Sequence, residues 1–523
     1  MSRKKKQTKT LEELLEEALV PEEEQPYELP ENWVWVRLGS LSKVTGGGTP
    51  KSSVEDYYYN GEIPWITPAD LSGYKDKYIS RGKRNITKSG LENSSAKLLP
   101  ENTLLLSSRA PVGYVALAAN SLCTNQGFKS FPPTEAYIPD YGYWYLRFAK
   151  HIVDEFASGT TFKEVSGSKA AKIPLPLPPL PEQKRIVDRV ESLLGKIDEA
   201  KELIQEARDS FEQRRAAILD RAFRGELTRT WREQHPDAEP ADRLLERIRE
   251  EKASMETRKG GRRKKAVDLS PINPPYELPQ GWKWVRLGEL TESTVYGTSA
   301  KANDDTTGIP VLRMGNIQRG ELESDNLRYL PPDHPDVQKY QLDKDDLLFN
   351  RTNSYELVGK TAIVRAQQAG KMTFASYLVR VRLHKKNVLA QYICNYINSA
   401  IGREYLLSTV TQQVGQANIN ATKLIGLPVP VPPEAELKEI NATLESVFGL
   451  AEQAEEWLEV NLNSLTQSIL TQAFRGELGT NDPGEESALE LLKRTLAEQN
   501  GLAYQSPATE ELRVAEQGEL YLT

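Results

Sequence analysis

Cysteine and histidine are scarce: 2 and 4 residues in a chain of 523. Cys123 and Cys394 are too few for a disulfide framework and lack metal-ligand spacing, which fits a reducing compartment and predicts a cytoplasmic protein. His151, His235, His334 and His384 are scattered and form no metal or triad constellation. No apolar run approaches the roughly 18 residues of a membrane span. The start, MSRKKKQTK, is basic, but no apolar segment follows as it would in a signal peptide. Net charge is −7, so no global excess of positive charge points to nucleic acid. That sum hides segregation: acids crowd the helical segments, and the intervening domains carry many Arg and Lys. A phosphate loop is also missing, because GGGTPK at Gly46–Lys51 lacks the GxxxxGK[ST] spacing and reads as a tight turn. Glu199-Ala200-Lys201 resembles a nuclease E-x-K only superficially, since it lies on a heptad helix without acidic partners.

What the chain does contain, it contains twice. PYELPENWVWVRLGSL begins at Pro26 and PYELPQGWKWVRLGEL at Pro275, differing at four of sixteen positions. PPLPEQKRI at Pro178 returns as PPEAELKEI at Pro432, and AFRGEL at Ala222 returns at Ala473. ADRLLERI at Ala241 has a counterpart in ALELLKRT at Ala488 and a looser one in LEELLEEAL at Leu11, which makes the order look cyclic. The repeat is far longer than solenoid periods of about 20–50 residues, so each copy holds a whole domain.

Proline followed by an apolar seam marks a long helix in each copy. The first seam runs through Ile186, Val190, Leu193, Ile197, Ile204 and Phe211; the second runs through Ile440, Leu444, Val447, Leu458 and Leu465. Steps of three and four are those of a coiled coil, and duplicated seams favour packing against each other. Gly225 and Gly476 stop the helices. RKGGRRKK at Arg258 and the proline-rich stretch after it read as a linker, although a basic run can also brush a nucleic-acid backbone.

Expected boundaries follow: an N-terminal helical arm over 1–25, a variable domain over 26–173 and a spacer helix over 174–227. A Leu-Leu helix and linker over 228–274, a second variable domain over 275–424, a second spacer helix over 425–478 and a tail with a short helix over 479–523 complete the chain. The variable domains share a frame, as IPWITPADL at Ile63 against IPVLRMGNI at Ile309 shows, but not their contents. Short β-rich runs followed by aromatic helical stretches predict mixed α+β domains.

Asn273-Pro274-Pro275-Tyr276 matches the tetrad with which amino-methyltransferases hold a flipped adenine. The first copy has Glu24-Gln25-Pro26-Tyr27 there and no cofactor-binding glycine turn precedes it, so the match reads as coincidence. No catalytic site is expected. What remains is an inventory of polar residues on loops. The first domain offers Lys51, Tyr58, Arg81, Lys83, Arg84, Arg109, Asn125 and Gln126. The second offers Tyr296, Arg313, Asn316, Arg319, Asn350, Arg351, Asn353, Gln413, Gln416 and Asn418. Arg reads guanine and Asn or Gln reads adenine in the major groove, while Lys and Arg neutralise phosphates. Each alone could be an ordinary surface residue; as a set they make groove contact plausible.

Together the duplicated phrase, PPLPEQKRI, AFRGEL, GGGTP at Gly46, SSRAPVG at Ser107, CTNQGF at Cys123, LLFNRTNS at Leu347 and ELVGKTA at Glu356 give a close resemblance. The chain resembles the specificity subunit of a type I restriction–modification enzyme. That resemblance implies an α+β fold with two globular target-recognition domains, Val36–Lys172 and Val285–Lys423, separated by two long antiparallel coiled-coil helices in a pseudo-twofold repeat. It implies that each domain reads one half of a bipartite, asymmetric double-stranded DNA site. The helices would act as spacer, about 40 residues at ~1.5 Å per residue, or about 60 Å. It further implies two methylation subunits that carry S-adenosylmethionine, and restriction subunits that use ATP and Mg, with no cofactor, metal or catalysis on this chain. A solitary adenine methyltransferase and a protein-only scaffold are the competing readings.

Overall fold

The computed structural model describes residues 9–159, 163–258, 271–413 and 416–504. The chain divides into two compact units: Met1–Glu202 with Trp457–Thr523, and Leu203–Glu456. Both long helices, Leu180–Phe223 and Glu434–Phe474, are therefore shared between units.

In the first unit, a five-stranded sheet follows the order Thr45–Gly46, Phe128–Phe131, Leu104–Ser108, Val112–Ala118, Tyr78–Ile79. A smaller sheet sets Ile63–Ile66 between Arg84–Ile86, antiparallel, and Cys123–Thr124, parallel. In the second unit, a four-stranded sheet follows the order Thr291–Tyr296, Leu378–Leu383, Leu347–Asn350, Thr361–Ile363. Its smaller sheet sets Ile309–Leu312 between Arg328–Leu330, antiparallel, and Thr373–Phe374, parallel. The two small sheets match residue for residue: Trp65 faces Arg84, and Val311 faces Arg328. The frame is thus duplicated at the level of strand register.

Each repeated phrase forms one strand of an isolated two-stranded ribbon. Val34–Arg37 pairs with Pro174–Leu177, and Lys283–Arg286 with Pro428–Val431. Alternate prolines, which cannot donate to a ladder, are tolerated because such a ribbon has no central strand.

The tryptophans of the phrase hold the frame together. Trp33 Nε1 donates to buried Glu182 at 2.7 Å, and Trp282 Nε1 donates to buried Glu436 at 2.9 Å. Tyr27 stacks edge-on to Trp35 at 4.9 Å and donates its hydroxyl proton to the Phe474 carbonyl at 3.0 Å. Tyr276 repeats this with Trp284 at 5.0 Å and the Phe223 carbonyl at 2.9 Å. The phrase of one copy is thereby tied to the helix end of the other, within one unit. Gly225 and Gly476 end the helices at φ +73° and +74°, where a side chain would be strained; a Cβ there would also collide with Pro279 and Pro30. Phe223 and Phe474 are fully buried among tyrosines of their own unit: Tyr392 and Tyr396 around the first, Tyr141 and Tyr145 around the second.

In the second unit Arg208 meets Glu455 and Arg215 meets Glu452, each at 3.4 Å, and Phe211 lies edge-on to Phe448 at 6.3 Å. Rising numbers on one helix meet falling numbers on the other, so the segments run antiparallel. Ile186, Val190, Ile197, Ile440 and Leu444 are buried as the seams predict, and Leu193, Ile204, Phe211 and Leu458 are half-buried. Val447 and Leu465 correct the seam: they are 37% and 51% exposed. Leu219 and Leu470, off the predicted seam, are buried instead. The burial concentrates toward the helix ends, where each helix also meets its domain.

The remaining Leu-Leu elements close the units. Thr10 and Glu13 form a capping box on Leu11–Ala18, and Leu11, Leu14 and Leu15 share a cluster with Leu492 and Leu496. In the second unit, Leu244, Leu245 and Ile248 of the helix Ala241–Arg258 are buried. RKGGRRKK lies outside the described residues except for Arg258 at the helix end, and the tail lies outside beyond Tyr504.

Candidate nucleic-acid interface

In the first variable domain the loop before Arg84–Ile86 is pinned by one carboxylate. Asp70 accepts from Thr67 N at 2.8 Å and the Thr67 hydroxyl at 2.7 Å through one oxygen, and from Lys83 N at 2.9 Å through the other. Gly82 passes so close that a Cβ would lie 2.8 Å from that carboxylate and 3.0 Å from the Trp65 carbonyl. Beyond the pin, the Arg84 guanidinium sits over the Tyr58 ring at 4.4 Å, and Tyr58 donates to the Pro50 carbonyl at 2.6 Å. Arg81, Lys83 and Arg84 line a polar cleft of about 570 Å³, with Asn60 and Asn85 and without any acid. Lys51 is exposed one residue after Pro50.

A larger cleft of about 870 Å³ in the same domain collects Thr67, Arg109, Asn125, Lys150 and Lys163 beside Asp154 and Glu164. Arg109 and Lys129 both approach Glu164, at 3.9 and 3.7 Å. Burial holds the Lys129 ammonium below the usual lysine range, against the pull of Glu164 and with help from Arg109. Asn125 accepts from Gly127 N at 2.9 Å, and Gln126 accepts from the Thr49 hydroxyl. The basic groups outnumber the acids here, and Asn125 and Gln126 stand on the turn after Cys123–Thr124.

The second domain builds the corresponding place from other residues. Asn316 occupies the position of Asp70: its Oδ1 accepts from Arg313 N at 2.9 Å and its Nδ2 donates to the Asp325 carbonyl at 2.8 Å. Arg313 donates to the Asn326 carbonyl. Arg313, Asn326 and Tyr377 line a cleft of about 580 Å³. Next to it, Arg351 N donates to the Tyr377 carbonyl at 3.0 Å, and the Arg351 guanidinium covers Tyr296 at 4.8 Å. A three-stranded ribbon of Thr352–Asn353, Gln416–Asn418 and Thr411–Gln413 continues this face. Asn418 donates to the Thr352 hydroxyl at 2.8 Å, and Asn353 accepts from Ser354 N at 2.9 Å. Gln416 is exposed at its rim. The backbone of Gln413 is in register with Gln416, but its side chain lies outside the described residues.

Three of the expected readers make contacts within the chain. Asn316 is 4% exposed and both ends of its amide hold the loop. Asn350 is fully buried in its strand, donating to the Leu357 carbonyl at 3.4 Å. Arg319 reaches Glu212 and Glu455 of the long helices, at 3.6 and 3.7 Å, and braces its domain on them. Lys77 does the same in the first unit, at 2.5 Å from Glu191. Sequence reasoning missed Lys129, Lys150, Lys163 and Tyr377. The last is 46% exposed and could have been found by setting ASYL at Ala375 against NQGF at Asn125.

Among the described residues, nothing in either domain resembles a reaction centre. No group of three His, Cys, Asp or Glu among the described residues could hold a metal. Burial pushes the thiols of Cys123 and Cys394 up to about 11 and about 12, so both stay protonated at neutral pH. Tyr276 of the methyltransferase-like tetrad has its hydroxyl bonded to the Phe223 carbonyl and one ring face under Arg224, 4.7 Å away. No helix among the described residues is long and apolar enough to cross a membrane.

Two domains of one frame, built by duplication, each present polar and basic side chains on loops. Residues 30–208 and 279–460 match the family model described as "Type I restriction modification DNA specificity domain". The chain belongs to that family, which it represents twice. It is similar to the type I restriction enzyme MjaIX specificity subunit of Methanocaldococcus jannaschii, 39% identical over 160 residues, 30% of this chain and 37% of that protein. It is also similar to the EcoKI specificity subunit of Escherichia coli K12, 25% identical over 497 residues, 90% of this chain and 96% of that protein. A solved chain from work on complex assembly and conformational transition of the type I R-M system shares the fold, with TM-score 0.54 and 21% identity over 86% of this chain and 100% of that one.

Proposed function

We propose that this chain reads a bipartite, asymmetric DNA target, one half with each recognition domain, for a type I restriction–modification complex. The observation that carries the reading is the pair of small sheets: identical in register, unlike in the side chains beside them. Arg84 and Arg328 occupy one register position, yet Asp70 is replaced by Asn316 at the shared pin. A frame kept constant while its loops diverge suits two readers of different sequences.

The repeated parts then serve protein partners, with the long helices as spacer between the half-sites. Leu203, Val447 and Leu450 in the second unit, and Trp457, Val460 and Leu465 in the first, are large apolar side chains left exposed on the long helices. Apolar residues at such a density mark a protein interface, and two methylation subunits are its occupants. Those subunits carry S-adenosylmethionine and flip the target adenine out of the duplex; restriction subunits joining the complex bring ATP and Mg. This chain holds the DNA in register for them in the cytoplasm and binds no cofactor itself. Mapping methylated adenines genome-wide in cells with and without the gene tests the reading. A split, asymmetric motif that vanishes with the gene is expected, and an unsplit motif or none would refute it.

A further inference from the structure

Strand register makes the loops before the last strand of each small sheet comparable position by position. Counting back from Arg84 and Arg328, Lys83 answers to Leu327, Gly82 to Asn326 and Arg81 to Asp325. The first domain therefore displays three cations where the second displays one, and Glu323 and Asp325 lie exposed on the second loop. Arg328 is ion-paired to Asp304, whereas Arg81, Lys83 and Arg84 have no acidic partner among the described residues. The pins differ to match. Asp70 accepts the Lys83 backbone N–H, and Asn316 donates to the Asp325 carbonyl. Asp70 spends its oxygens on backbone N–H groups and the Thr67 hydroxyl, so it fixes the loop without neutralising the side chains.

We propose that Arg81, Lys83 and Arg84 form a clamp on DNA backbone phosphates that the first recognition domain has and the second lacks. The proposal rests on the DNA-binding reading above and adds which groups hold the backbone. Charges on a pinned loop, beside an Asn85 whose amide is already bonded to the Gly61 carbonyl at 3.0 Å, suit phosphate positioning more than base readout. The clamp makes the first half-site the salt-sensitive one.

The test uses the complex with its methylation subunits, titrated over a salt series onto two duplexes of equal length: one carrying the mapped target, one scrambled. Arg81→Gln with Lys83→Gln should flatten the slope of log affinity against log salt by about 2 on both duplexes. The ratio of target to scrambled affinity should stay the same. Asp325→Arg, which installs the cation in the second domain, should steepen the slope by about 1. An unchanged slope in the double variant overturns the clamp, and a changed ratio reassigns these residues to base reading. An unchanged slope in Asp325→Arg overturns the claimed difference between the domains. Should the wild-type complex bind both duplexes alike, the specificity reading falls, and the slope on the scrambled duplex still decides the clamp.

Discussion

Glu182 and Glu436 stand at the same place in the two units, each buried and each accepting a tryptophan N–H, and their surroundings differ. Glu436 also accepts from Arg232 at 2.5 Å and from the Thr228 hydroxyl at 2.6 Å. Glu182 has no ion pair among the described residues; nearby Arg185 is spent on Glu485 at 2.8 Å. The stretch after FRGEL explains this, because TRTWREQ supplies Thr228 and Arg232, and GTNDPGE has Gly479 and Pro483 at those positions. Duplication has kept the geometry that orients the tryptophan and let its electrostatics drift. A buried carboxylate bonded on every side is costly to alter, and one with a spare oxygen is tolerant.

The comparison can be broken first at what the units share. Phe223→Ala and Phe474→Ala should each cost about 3–5 kcal/mol, since each empties a cavity lined by tyrosines; chemical denaturation of the two variants checks whether the units are equally dependent. A large difference would mean that the repeated packing is not equivalent. Next comes the carboxylate itself. Glu436→Gln should cost about 2 kcal/mol by leaving Arg232 and Thr228 mismatched, and Glu182→Gln less than about 1 kcal/mol, because the amide still accepts from Trp33. Equal losses would remove the distinction.

Titration sharpens it further. Burial pushes the Glu182 carboxyl above its usual range, with the Trp33 bond and Arg185 opposing. The folded first unit thus holds that proton more tightly than the unfolded chain, so this stabilisation is full at acid pH and declines as pH rises through the raised value. In the second unit the Lys438 bond and Arg247 hold Glu434 below its usual range despite some burial, so its contribution is lost as pH falls. Hydrogen exchange followed by unit, from neutral pH down to below the usual carboxylate range, should show opposite trends, with the first abolished in Glu182→Gln. The smallest effect is expected at Arg319. Arg319→Gln should cost under about 1 kcal/mol, as exposed pairs do, and leave the second half of the DNA target unchanged; an altered half-site would return Arg319 to the base-reading set.

Much of this was legible in the sequence, and unevenly. The repeated phrase and its tryptophans are plain because identity at spaced positions survives in one dimension. That Tyr27 binds beside Phe474, and Tyr276 beside Phe223, could not be read, since the repeat gives no sign of which copy packs with which. The heptad seam located the helices but misplaced Val447 and Leu465, because a periodic pattern does not say which side a partner covers. Asn316 and Asn350 fit a list of base readers by residue type alone, and residue type gives no sign that both are buried. Asp70, the residue that shapes the first loop, carried no signal until it could be set against Asn316.

The central claim is that one frame holds two independent readers. Replacing residues 36–172 with the corresponding segment of another family member, then mapping methylated adenines, tests it directly. The account predicts that one half of the target changes and the other half stays. A change in both halves, or in neither, would contradict it.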